Sequence, residues 1–270
     1  MGLREAARYI SPKTLLKRKE VAKVLPENVD VFIDPENGNN ATAEINNAHK
    51  PFSSLGFVFN SNTHLSAEIV NIYLHTDRNY GTSIYRVEGG IVNGNPVMVW
   101  FRRYVYDENA SDGRGADGPN AGPIFLPRIR VTGIWKTIGL MGNWTPGNNY
   151  QTQNFEFRGA IVYDEIYLDC LEADYIDFIG TSARLVDIHY SELGESDSDN
   201  HAVRAYHSSL MWRQNADANI NSNKRLYSEN SFFSTNLEQD INDDGGLFTY
   251  EAGSAEATGP YVNGNLLGSE

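Results

Sequence analysis

A segment near the end of the chain matches the complete template of a calcium-binding loop. It runs from Asp240 to Glu251 and reads Asp-x-Asn-x-Asp-Gly-x5-Glu. Side-chain oxygens at positions 1, 3, 5 and 12 suit the hard Ca²⁺ ion, and a glycine at position 6 permits the sharp turn. The predicted calcium ligands, including a backbone carbonyl at position 7, are Asp240, Asn242, Asp244, Gly246 and Glu251. A plain acidic turn is the alternative, because neither flank predicts the helix that accompanies such loops.

Three aspartates could carry glycosidic chemistry. Asp169, Asp177 and Asp187 lie close together in the sequence, and paired carboxylates on neighbouring strands can act as acid and base on a glycosidic bond. Carboxylates at such positions are equally common as a solvated surface. The sequence therefore assigns no catalytic residue.

An exposed aromatic side chain is a further candidate for sugar contact. Trp144 lies in the turn-rich segment from Gly142 to Gly147, where its ring could form a stacking platform. It is the predicted glycan-binding residue. The remaining tryptophans could equally fill the interior of the fold.

Composition and charge argue against several classes of protein. The chain has 270 residues and a net charge of −13, but residues 1–25 hold seven basic and two acidic side chains. The remainder, with 15 basic and 33 acidic residues, argues against a nucleic-acid surface. No glycine-rich phosphate loop and no histidine spacing predicts a nucleotide or zinc site. No apolar stretch reaches the roughly 18 residues of a membrane span.

The start of the chain and its cysteine content indicate where the protein is made. The first residues lack the apolar run of a secretory signal, and the single Cys170 permits no intrachain disulfide. We therefore expect synthesis in a cytoplasm, without oxidative folding. A protein that acts outside the cell would then be released by lysis.

One pattern, apolar-x-apolar-x-Gly, occurs four times in the middle of the chain. The copies are Tyr85–Gly89, Ile129–Gly133, Phe155–Gly159 and Ile176–Gly180. Their glycines are 44, 26 and 21 residues apart, and 44 is twice 22. Alternation with a period of two predicts half-buried strands, and recurrence at this interval predicts a solenoid of stacked turns. A β-sandwich is the alternative, since its strands also alternate and end at glycines.

The spacing of strand signals predicts the organisation of the chain. Between residues 67 and 235 the spacing of the strand signals predicts two or three sheet faces per turn and seven or eight turns. A long loop is expected at 107–123 and an acidic insertion at 191–200. The predicted divisions are an N-terminal helical attachment segment at 1–28, an opening and cap at 29–66, a parallel β-helix at 67–239, and a loop-rich tail at 240–270.

Three segments then resemble a known family. Phe32 to Asn40 reads as a strand that runs into an Asp-Pro-Glu-Asn-Gly turn, Lys50 to Leu55 as the start of a short helix, and Ile72 to Leu74 as a strand. Together they resemble the opening of the pectate-lyase-like right-handed parallel β-helix in bacteriophage tail fibres and tail spikes. The resemblance covers about residues 30–75, and the fold class it implies is all-β.

The resemblance carries functional expectations. It implies a homotrimer of β-helices that is a structural protein of the virion, docks on other tail or baseplate proteins through residues 1–28, and attaches to host surface polysaccharide. Nucleic acid and a membrane are not expected partners, and calcium is the one candidate cofactor. A polysaccharide depolymerase, acting as a lyase or a glycoside hydrolase on bacterial surface glycans, is the alternative. A bacterial adhesin is a third class, disfavoured by the missing export signal.

Overall fold

The computed structural model describes residues 25–115, 121–142, 148–189, 191–193, 203–214, 219–220, 226–229, 231–235, 248–250, 255–258 and 261–262. Strands make up 59% of the structure and helices 5%, which confirms the predicted all-β class. The strands form a curled, mainly parallel sheet.

The described residues contain one short α-helix, α1, at Leu55–Asn60, and a 3₁₀ turn at Thr63–Leu65. The strands are β1 Asn28–Ile33, β2 Ile69–His75, β3 Arg78–Asn79, β4 Ile84–Gly89, β5 Ile91–Val92, β6 Asn95–Tyr106, β7 Arg114–Gly115, β8 Ile124–Phe125, β9 Arg128–Met141, β10 Tyr150–Asp169, β11 Leu171–Ile179, β12 Ser182–His189, β13 Glu192–Leu193, β14 Val203–Tyr206, β15 Ser209–Gln214, β16 Asn219–Ile220, β17 Leu226–Glu229, β18 Phe232–Thr235, β19 Phe248–Tyr250, β20 Ala255–Thr258 and β21 Tyr261–Val262.

The parallel pairings fall into three ladders. Ladder A joins β1, β2, β6, the ends of β9 and β10, β12, β15, β18 and β20. Ladder B joins β4, the start of β9, the middle of β10, the end of β11, β14, β17 and β19. Ladder C joins β3, β8, the starts of β10 and β11, β13 and β16. From β2 to β18 the chain visits A, C and B in that order and then returns to A.

The four predicted repeats are neighbours in ladder B. Tyr85 pairs with Ile129, Ile129 with Phe155, and Phe155 with Ile176, so the first residue of every copy shares one register. The prediction that 44 residues span two turns is wrong, because β4 pairs directly with β9. The extra length is taken up by the antiparallel β5–β6 hairpin, the antiparallel β6–β7 pair and the loop that follows.

A second correction concerns the predicted acidic insertion at 191–200. Glu192 and Leu193 form a strand that pairs in ladder C with Glu172 and Ala173. The side chain of Leu193 is buried, and burial of an apolar side chain stabilises a regular strand position. The sequence did not predict this strand, because Leu193 is an isolated apolar residue among acidic and polar neighbours.

The core consists of columns of apolar side chains inside the curled sheet. In ladder A each inward position stacks on the one in the next strand, and one column contains Val31, Ile72, Phe101, Leu140, Leu168 and Ile188. Each of these side chains is fully buried. In ladder B the rings of Phe157 and Phe178 stack with their centroids 5.2 Å apart. Burial of each such side chain contributes about 1.5–3 kcal/mol.

Helix α1 packs against the start of the sheet, beside β4. Ser54 caps this helix, since its hydroxyl accepts a hydrogen bond from the backbone of Phe57, and the helix buries Leu55 and Val58. Burial of Asp34 would raise its pKa, but hydrogen bonds from Asn37 and nearby backbone amides outweigh it and hold this pKa below its ordinary value. The predicted strand and the turn after it are therefore confirmed, whereas the helix begins only at Leu55, and Phe52 forms a β-bridge with Ile33 instead.

Candidate functional site

A groove of about 500 Å³ lies at the corner where ladder C passes into ladder B. Four successive turns each contribute one outward side chain to its first wall: Asn79, Phe125, Gln151 and Glu172. These four residues are direct partners in the ladder. The second wall is also contributed one residue per turn, by Thr82, Arg128, Gln153 and Asp174. The groove therefore runs across the strands for about 14 Å, three strand spacings.

The local sequence explains why this corner is concave. Between the outward residues of each turn lies a residue that points inward, such as Leu126 or Ala173, and both are buried. Alternation along a strand places successive side chains on opposite faces. The backbone at these inward residues forms the floor, while the longer polar side chains beside it form the walls.

Hydrogen bonds fix the polar groups of the first wall. The Glu172 carboxylate accepts hydrogen bonds from the amide of Gln151, at 2.9 Å, and from the amide of Asn149. Phe125 remains 41% exposed and offers an apolar ring face. Carboxylates and amides supply acceptors and donors for hydroxyl groups, and an aromatic ring packs on the apolar face of a ring-shaped ligand. This combination suits an extended chain of sugars.

A second cavity, of about 610 Å³, lies on the outer face of ladder B. Arg86, Arg130 and Arg158 line it together with Glu88. Arg130 donates to the Glu156 carboxylate at 3.0 Å, and Arg158 donates to the same carboxylate at 2.5 Å. His64 also lines the cavity, and burial lowers its pKa. The positive charge of the cavity therefore comes from the arginines.

The three predicted carboxylates occupy different environments. Asp177 is buried and accepts two hydrogen bonds from Arg204, at 2.5 and 2.7 Å. Asp187 is also buried, with its Oδ1 2.9 Å from Nε2 of His189. Burial raises the pKa of Asp169 although the Cys170 thiol donates to it.

Asp169 and Asp187 lie on adjacent strands, as predicted, but they are not direct partners. Asp169 pairs with His189, and Asp187 pairs with Tyr167. Burial, followed by the charges of Asp169 and Asp187, raises the pKa of Tyr167 to about 12. The phenol therefore stays protonated at neutral pH.

The groove was not predicted from the sequence, although a signal was present. Phe125, Gln151 and Glu172 each lie eight residues before the glycine of a repeat copy. The column through Arg86, Arg130, Glu156 and Asp177 occupies the first variable position of the same repeat. Aligning the variable positions of the repeat copies would have predicted both the groove and the second cavity.

Several predicted sites lie outside the described residues. They are Trp144, the calcium ligands Asp240, Asn242, Asp244, Gly246 and Glu251, and most of the attachment segment at 1–28. Across the part of the chain that the structure covers, no group of three or more His, Cys, Asp or Glu side chains could hold a metal ion. In the same part, no helix is long and apolar enough to cross a bilayer.

Comparison of the chain with protein-family models, with curated proteins and with solved structures finds no match.

Proposed function

We propose that this chain is a right-handed parallel β-helix that serves as a tail fibre or tail spike subunit of a bacteriophage, where it attaches the virion to host surface polysaccharide. The observation that carries the proposal is the recurring order of ladders A, C and B. A chain that returns to each ladder one strand further along follows a solenoid path.

The interval between partners supports this path. In ladder B, Phe155 pairs with Ile176 after 21 residues, and Ile176 pairs with Val203 after 27. Each interval accommodates one strand from each ladder and the corners between them. Helix α1 covers the inward residues of the first turn, and a solenoid needs such a cap because its end otherwise leaves backbone groups unpaired.

The groove supports polysaccharide as the ligand. Its walls follow the spacing of the strands, so an extended polymer that lies along the stack meets a further pair of side chains at every turn. Amides, a carboxylate and an exposed ring match the hydroxyl groups and apolar faces of sugars. A rigid wall also binds with little loss of conformational entropy in the protein.

Exposed apolar side chains support association of copies. Ile91, Tyr163 and Met211 are each more than 40% exposed. Scattered apolar residues are ordinary on a surface, but a trimer would cover such side chains along the wall of the β-helix. We propose that three copies associate side by side and that residues 1–28 dock them on other tail or baseplate proteins.

A polysaccharide depolymerase remains the second candidate, because Asp169 has a raised pKa beside the Asp187–His189 pair. A carboxyl group whose pKa is raised is more readily protonated and can act as a general acid. Incubating a bound polysaccharide with the protein should then release new reducing ends or unsaturated sugars, and Asp169→Asn should abolish the release. If no fragments form, the protein attaches to the polymer without cleaving it.

A binding experiment tests the attachment function. A panel of immobilised bacterial surface polysaccharides would be probed with the protein, and the bound polymer titrated with variants. Glu172→Gln should weaken binding at least tenfold, since a hydrogen bond to a charged group contributes about 1.5–3 kcal/mol. Asp164→Asn is the matched control, because it makes the same chemical change on ladder A. Equal losses in both variants, or no binding to any polymer, would refute the role of the groove.

A further inference from the structure

The outer face of ladder B carries an imbalance of charge. Arg86 and Arg130 are direct partners on adjacent strands, and Arg158 lines the same cavity. Like charges at directly opposite positions in a sheet are destabilising unless they are compensated. The carboxylates that offset these positive charges therefore determine what this face can bind.

Two carboxylates of this column are already engaged by other arginines. Glu156, only 7% exposed, receives hydrogen bonds from both Arg130 and Arg158. The next carboxylate in the column, Asp177, is held by Arg204.

Arg86 is the arginine without a compensating partner. Its side chain is exposed, and within the described residues no carboxylate forms an ion pair with it. Among the described residues that line the cavity, Glu88 is the one acidic side chain. Together with Glu156, which Arg130 and Arg158 contact, it sets two negative charges against three positive ones in a chain whose net charge is −13.

We propose that this cavity is an anion-binding site that takes a phosphate, sulfate or carboxylate substituent of the polysaccharide. The planar guanidinium groups of Arg86 and Arg158 would each donate two parallel hydrogen bonds to an oxyanion. The amides of Asn60 and Asn62 line the same cavity and add neutral donors. Arg130 contributes positive charge while its own hydrogen bonds remain with Glu156.

The position of this site relative to the groove supports a glycan as the carrier of the anion. Arg128 of the groove wall and Arg130 of the anion site are alternate residues of β9, so they project from the same face about 7 Å apart. A polymer in the groove can therefore place a side substituent in the cavity. The anion site itself rests on the arginines, and only the identity of the polymer rests on the proposed function.

Binding of dextran sulfate and of uncharged dextran separates the anion from the sugar backbone. Dextran sulfate should bind the wild-type protein and weaken as salt rises from about 50 to about 200 mM, because released counterions contribute to the affinity. Arg86→Gln and Arg158→Gln should each weaken this binding about tenfold. Arg184→Gln is the matched control, since Arg184 is an exposed arginine of ladder A, and it should have no effect.

Further variants and probes distinguish the possible outcomes of this experiment. Glu88→Gln removes a negative charge from the cavity and should strengthen dextran sulfate binding, a gain that no damaged fold would produce. Inorganic sulfate, which is too small to span the groove, should compete with dextran sulfate for the cavity, so failure of the groove and failure of the anion site are distinguishable. Equal effects of Arg86→Gln and Arg184→Gln, or absence of dextran sulfate binding, would overturn the site. Equally tight binding of single-stranded DNA would overturn the assignment to a glycan.

Discussion

Truncation of one stacked phenylalanine tests the columnar core of ladder B. Phe178 is fully buried, and its ring lies against Phe157 with 5.2 Å between the centroids and 11° between the planes. Phe178→Ala removes the ring and leaves a cavity, since neighbours in a packed core relax only partly. The expected loss is about 3–5 kcal/mol in the free energy of unfolding. Phe178→Leu, which keeps most of the volume, should cost about 1.5 kcal/mol or less.

Urea unfolding monitored by circular dichroism measures this loss. With a slope near 3 kcal/mol per molar urea, 4 kcal/mol lowers the midpoint by about 1.3 M. The control is Ile161→Ala, because this side chain is 44% exposed and should cost about 1 kcal/mol or less. In the double variant Phe157→Ala/Phe178→Ala the two costs should fall short of additivity by about 0.5–1.5 kcal/mol. Equal costs for Phe178→Ala and Ile161→Ala would refute the inward column.

Three further predictions concern single positions. Gly133→Ala should destabilise the protein by about 1–2 kcal/mol in the same assay. The reason is that Gly133 has φ of +82° and that an added Cβ would lie 2.7 Å from the Gly89 carbonyl oxygen. Gly90→Ala is the control and should be nearly neutral, because an added Cβ there meets only ordinary van der Waals contacts. Because the pKa of Asp34 is lowered in the folded protein, its stabilising contribution is present above the ordinary pKa and is lost as pH falls through the folded value. The melting temperature should therefore drop more between about pH 5 and about pH 3 in the wild type than in Asp34→Asn; equal drops would exclude this linkage. If Asp240 to Glu251 binds calcium, a hundredfold excess over Kd should stabilise the fold by about 2.7 kcal/mol, and Asp240→Ala should abolish the effect on melting; identical melting of the wild type in calcium and in chelator would leave only an acidic turn.

The inward positions of this fold could be predicted from the sequence, whereas the outward surfaces could not. Alternation and a following glycine identify Tyr85, Ile129, Phe155 and Ile176 as equivalent, and their register in ladder B confirms it. The length of each turn was less predictable, because an antiparallel hairpin such as β5–β6 lengthens one turn without altering the inward alternation.

The groove and the anion site were missed for a related reason. Glu172 and Arg86 occupy positions where any polar residue is compatible with the repeat, so a local pattern carries no information about them. Their significance depends on which residues the register places beside them, such as Gln151 next to Glu172 and Arg130 next to Arg86. Register is a tertiary property, and it becomes readable only when the variable positions of the copies are aligned.

Electron microscopy of the intact phage particle, with this chain labelled by an antibody fragment, tests the central claim most directly. The proposed function predicts labels grouped in threes at the tail, with the N-terminal residues towards the particle and the groove facing outward. Labels on the capsid, or particles that carry no label at all, would contradict the assignment of this chain as a tail fibre or tail spike subunit.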